Sequence, residues 1–181
     1  MANTKSPATN PNITPDPNVD GSVIRKAFLA EAIANLFTIP LITNTPWVLS
    51  LLLNHPADIN PSSVLFARLF GGLIVGGLTS ALLAGYTNTR NGIESRRPTY
   101  LLLGIGEACL ILMLVNEMLK DGGRDAAVSK KVAGISIGML LPPLLWRIYV
   151  LGLRPDLLGK YTEKKRGGER GDYGSISSRD E

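Results

Sequence analysis

The sequence predicts an all-α membrane protein: four transmembrane helices in a compact bundle, flanked by disordered polar termini. Three observations predict it. Hydrophobic residues make up 45% of the 181 positions and gather into four long blocks. Pro, Asn, Ser, Asp and Lys collect between and outside those blocks. Within the blocks, polar and apolar faces do not alternate at every turn, as they do in the helices of a soluble bundle. The resulting division is a disordered N-terminal segment over 1–21, a four-helix transmembrane domain over 22–158, and a disordered basic tail over 159–181.

The N-terminal segment has no apolar core of the kind a cleaved signal peptide needs, and it is rich in Pro and Asn. The first apolar block, 23–53, is longer than the roughly 20 residues that cross a bilayer. Pro40 and Pro46 divide it into a spanning helix ending near residue 39 or 43 and a short apolar helix over 47–53 near the far interface. Residues 54–63 form a loop in which Pro61 and Ser62 suit a helix start.

The second span, 63–86, carries Gly72, Gly76, Ser80 and Ala84 on one stripe and Gly77, Ala81 and Gly85 on the next. Small residues let helices approach closely where lipid gives no hydrophobic drive between them. Packing within the chain is favoured for this stripe over a dimer face. Residues 87–98 read as a polar turn with three arginines, and 99–119 as the third span. After a charged loop over 120–131, the fourth span covers 132–153; Gly134 and Gly138 repeat the small-residue spacing, and Pro142 and Pro143 predict a kink.

Thirteen Lys and Arg fall in the N-terminal flank through Lys26, the loop after the second span and the tail from Arg154 onward, against four in the other two loops. The positive-inside rule then places both termini in the cytosol. The net charge of +4 sits in loops and tail beside apolar spans, so the expected partners are the bilayer and, through the tail, anionic headgroups, with no nucleic acid. A protein partner or a homo-oligomer is also open. The chain has one Cys, Cys109, and one His, His55, too few soft ligands for a zinc or iron–sulfur site, so no metal or cofactor is expected.

The informative residues are ionisable or polar groups inside the blocks: Glu31, Asn35, Arg68, Glu107, Glu117 and Arg147. A central charge costs about 2.5–3.5 kcal/mol even on the lower insertion scales, so these side chains should face the bundle interior or reach an interface. Counting residues from the span ends matches Arg147 in depth to Glu31 and Glu107, and Arg68 to the level of Glu117. Two readings stand: a polar pocket or proton-handling site, or structural pairs of Arg147 with Glu107 or Glu31 and of Arg68 with Glu117 that fix helix register. Trp47, Tyr100, Trp146 and Tyr149 fall near the expected span ends and read as an interfacial aromatic belt.

Phe66-Ala67-Arg68-Leu69-Phe70-Gly71-Gly72, followed by a basic turn and a span carrying Gly106-Glu107, resembles the DoxX-like group of small four-helix membrane proteins. The likeness covers the layout of about residues 23–153. It implies a compact four-helix bundle with an intramembrane polar cluster, and no settled activity.

The favoured function is a non-enzymatic scaffold or accessory subunit of a membrane assembly. The alternative is an intramembrane enzyme or binder of a lipid-like small molecule, with Glu31, Glu107 and Arg147 around its pocket. No nucleophile set, metal set or phosphate loop is visible to name a reaction, and enzymatic activity stays open.

Overall fold

The computed structural model describes residues 13–120, 125–164 and 170–171. The disorder expected of 1–12, 165–169 and 172–181 lies outside the described residues, as do Lys165 and Arg166 of the basic tail. The described chain is mostly helical, and four helices are long and apolar enough to cross a membrane: Ser22–Thr43, Pro61–Tyr86, Arg90–Leu119 and Lys130–Leu153.

The first of these is built from α1 (Ser22–Asn35), a 3-10 turn (Leu36–Thr38) and α2 (Ile39–Thr43). The chain breaks at Asn44 and resumes as α3 (Thr45–Leu52), with Pro46 in its first turn, where a missing N–H costs nothing. The division at the two prolines is thus the one the sequence predicts. Asn60 caps α4 (Pro61–Gly72) through a reciprocal box with Ser63. The second span then widens into a π turn (Leu73–Leu78) before α5 (Thr79–Tyr86).

The third span corrects the sequence reading. Helix α6 begins at Arg90, not near residue 99, and runs 30 residues to Leu119. Residues 90–98 of the stretch read as a polar turn form its first turns. Thr89 starts it by accepting from the Gly92 N–H, and Pro98 stands inside it. Arginines in those turns signalled a loop by composition, but one of them is consumed in internal hydrogen bonds. Helix α7 (Lys130–Ile148) stays helical through Pro142 and Pro143 and widens into a second π turn (Tyr149–Leu153).

The described parts of both flanks also depart from the disorder expected of them. β1 (Ile13–Pro15), β2 (Tyr161–Lys164) and β3 (Arg170–Gly171) form a small antiparallel sheet in the order β1-β2-β3. Asp16 N–H donates to the Lys160 carbonyl at 3.0 Å, and Lys160 N–H to Val19 at 2.8 Å. Composition signals only that such segments bury little apolar surface. The bundle brings the two flanks side by side, where each satisfies the other's backbone. At the opposite end Leu53 bridges Val128, and Asn54 N–H donates to the Ala127 carbonyl, tying the first and third loops together.

The core is narrow: Ile24, Phe28 and Ala32 of α1, Leu82 of α5, Tyr100 of α6, with Val150 and Leu158. Phe28 and Tyr100 meet edge to face at 4.8 Å between centroids. Large apolar side chains cover the outside instead, among them Phe37, Phe66, Leu112, Met139 and Leu153. Such a surface suits a hydrocarbon solvent.

Candidate functional site

Arg147 organises the interior. It sits one residue before the end of α7, with its side chain 4% exposed. Its Nη2 donates to Glu31 Oε2 of α1 at 2.5 Å, and its Nη1 donates to Glu107 Oε1 of α6. One guanidinium thus joins three spans. The rigid fork of Arg makes this possible, because its donors diverge in one plane toward two separate carboxylates. The Tyr100 ring lies 5.5 Å from the guanidinium carbon, and Trp146 Nε1 donates to the Tyr100 hydroxyl at 3.0 Å. Gly104 of α6 leaves the Arg147 stem in van der Waals contact, its virtual Cβ 3.7 Å from Arg147 Cδ.

Two polar atoms of this cluster are buried without a hydrogen-bond partner among the described residues: Glu107 Oε2 and Arg147 Nε. With two carboxyl groups around one guanidinium, the cluster leaves one buried acceptor and one buried donor unpaired.

The other expected residues go elsewhere. Asn35 shares a helix face with Glu31 but donates from Nδ2 to Thr79 Oγ1, at 3.2 Å, linking the first span to the second. Arg68 and Glu117 do not pair. Arg68 Nε donates to Thr45 Oγ1 at 3.1 Å, and Glu117 binds Lys120 and accepts from the Ala127 N–H at 3.0 Å. Depth matching alone proposed their pairing; it says nothing of the angular position of a residue around its helix, and α4 turns Arg68 toward α2 and α3.

The glycines expected at helix contacts divide as well. A Cβ on Gly72, Gly76 or Gly138 would meet nothing within 4 Å, one on Gly77 would meet only Leu73 of its own span, and one on Gly134 would just reach Met118. Close approach occurs instead at Gly85, where a Cβ would overlap the Phe28 ring, and at Gly71, 2.9 Å from Ile42 Cγ1. The small-residue stripe marks the helix but not which part of it touches a neighbour.

Arg96 is the residue that sequence reasoning missed. It is fully buried, yet among the described residues no carboxylate pairs with it. Its Nε donates to Gly85 O at 2.8 Å, Nη1 to Leu158 O at 2.6 Å and Nη2 to Thr87 O at 3.2 Å. The guanidinium closes the end of the second span, the start of the third and the segment after the fourth. Gly21 and Gly159 flank it with φ of +67° and +88°. At both positions a side chain would be strained by the backbone and would collide with Arg96 Nη1. A glycine at each flank was the available signal. Tyr100, fully buried ten residues along α6, and Trp146 likewise share an interior hydrogen bond.

No family model matches the chain, and no curated protein or solved structure matches it.

Proposed function

We propose that this chain is a multi-span membrane protein that acts as a non-enzymatic scaffold or accessory subunit, with its flanks in the cytosol. What carries the reading is the commitment of Arg147: both of its terminal nitrogens are spent on carboxylates of two other spans. Charges used in this way hold helix register and leave the apolar exterior for lipid and protein neighbours. The basic flanks support the cytosolic orientation and a contact with anionic headgroups. The DoxX-like layout is compatible with this reading and adds no activity to it.

Purification in mild detergent tests it. A partner, or further copies of the chain, should co-elute at fixed stoichiometry, and Glu107→Gln should lower stability while leaving that stoichiometry unchanged. A clean monomer free of any partner would sink the proposal.

One observation favours a second reading, a binder of a small lipid-like molecule. The Glu107 Oε2 atom is buried and unpartnered, and an ammonium or hydroxyl group of a ligand would satisfy it. A lipid-like molecule that co-purifies with the native chain and is lost in Glu107→Gln would support this reading over the first.

A further inference from the structure

We propose that Arg68 and Thr45 form a binding site for the phosphate of a phospholipid headgroup, in the leaflet next to the Leu53–Val128 end of the bundle. The inference rests on the membrane-spanning reading above and goes beyond it.

The site is built by a close helix contact and a helix break. Gly71 lets α4 press on α2, since a Cβ there would lie 2.9 Å from Ile42 Cγ1. Arg68, three residues earlier on α4, is thereby set beside the break at Asn44. Thr45 opens α3 at that break and is fully buried. Its hydroxyl donates to the Leu41 carbonyl at 2.7 Å, so the oxygen has a lone pair turned to Arg68 Nε at 3.1 Å. A hydroxyl has one proton; with that proton given to the backbone, Thr45 acts only as acceptor toward Arg68.

This leaves Arg68 Nε satisfied and its side chain exposed, while neither terminal nitrogen has a hydrogen-bond partner among the described residues. Arg147 and Arg96 use their forks inside the protein; Arg68 presents its fork outward. On the same side of α4, Leu65 and Leu69 are exposed apolar neighbours in sequence. Arg68 lies seven residues beyond Pro61, roughly 10 Å of helix rise from the helix start. A long basic side chain at that depth reaches toward the headgroups, and Trp47, exposed two residues beyond Thr45, suits the same interfacial level. Phosphate is the anion available there, and two parallel N–H groups fit it in a bidentate way.

Native mass spectrometry of the full chain in detergent doped with phosphatidylglycerol tests the site. Arg68→Gln should weaken lipid retention on the order of tenfold, the effect of losing a charge-assisted contact. Arg68→Lys should fall between that variant and the unaltered chain, because a point charge replaces the fork. Thr45→Val, which keeps shape and removes the acceptor, should weaken retention less than Arg68→Gln. Phosphate-free diacylglycerol should not be retained, and inorganic phosphate should not compete.

Thermal melting of each variant separates lost binding from lost folding; if Arg68→Gln fails to fold, Arg68→Lys and Thr45→Val carry the test. Equal retention by the variants overturns the proposal, as does competition by inorganic phosphate, which would mark a free-anion site. Arg68-dependent retention of a protein in place of lipid overturns it as well. A chain recovered in the soluble fraction after alkaline extraction would overturn the membrane reading itself, an outcome distinct from all of these.

Discussion

Two buried arginines stabilise this bundle by different chemistry. Arg147, inside the fourth span, is matched by the carboxylates of Glu31 and Glu107. Arg96, at the end that carries the small sheet, is matched by the backbone carbonyls of Gly85, Leu158 and Thr87. Paired side chains can be mutated away together, and a matched set of charges can in principle be exchanged for a matched set of apolar groups. Backbone carbonyls cannot be removed, so a site of the second kind has no compensating substitution.

The largest expected effect follows from breaking the first site. Arg147→Leu should cost about 3–5 kcal/mol of stability, because two part-buried carboxylates lose their cation. Replacing Glu31, Glu107 and Arg147 together by Leu should restore most of that loss, since the desolvation cost leaves with the charges. Denaturant unfolding in detergent, monitored by circular dichroism, measures both variants.

At the second site Arg96→Leu should cost roughly 2–4 kcal/mol, as several carbonyls lose a donor at once. Arg96→Lys should recover only part, because an ammonium cannot span three acceptors set around a planar fork. No double or triple substitution of neighbouring side chains should rescue it. A rescue as complete as that of the triple-leucine variant would erase the contrast between the sites.

Smaller effects separate packed from open glycines. Gly85→Ala should cost about 1–3 kcal/mol, because the new methyl meets the Phe28 ring. Gly72→Ala and Gly76→Ala should leave the isolated chain's melting temperature unchanged or raise it slightly, as the space beside them is open and Ala favours helix.

The smallest effect is a pH dependence at the first helix. Asp20 accepts from the Ser22 N–H at 2.9 Å, and that bond holds its carboxyl below the ordinary value of 3.8. A depressed carboxylate contributes stability that is present above 3.8 and is lost as pH falls through the lower folded value. Asp20→Asn should therefore lower stability slightly at neutral pH, where the ionised carboxylate contributes, and flatten the acid end of the melting curve, the two chains converging at low pH. An acid limb as steep in Asp20→Asn as in the unaltered chain, or a loss confined to low pH, would contradict this assignment.

The contrast also explains how much was legible in the sequence. Glu31, Glu107 and Arg147 were readable because a charge inside an apolar block is conspicuous and its depth can be counted. Arg96 was not, since it stands between Arg90 and Arg97 in a stretch whose composition resembles a loop. Its acceptors are main-chain atoms, which leave no side-chain pattern. The four spans and the break around Pro40 and Pro46 followed from apolar blocks and proline chemistry. The β1–β2 pairing depended on the flanks meeting in space. The Arg68 to Thr45 contact depended on helix rotation, which hydropathy does not encode.

The central claim is that Arg147 links three spans as a structural clamp. A double-mutant cycle on Glu107→Gln and Arg147→Gln, with unfolding free energies measured in detergent, tests it most directly. The account predicts strong coupling, with the double variant losing much less than the sum of the single losses. Additive losses would mean that the two side chains do not act on one another, and would contradict it.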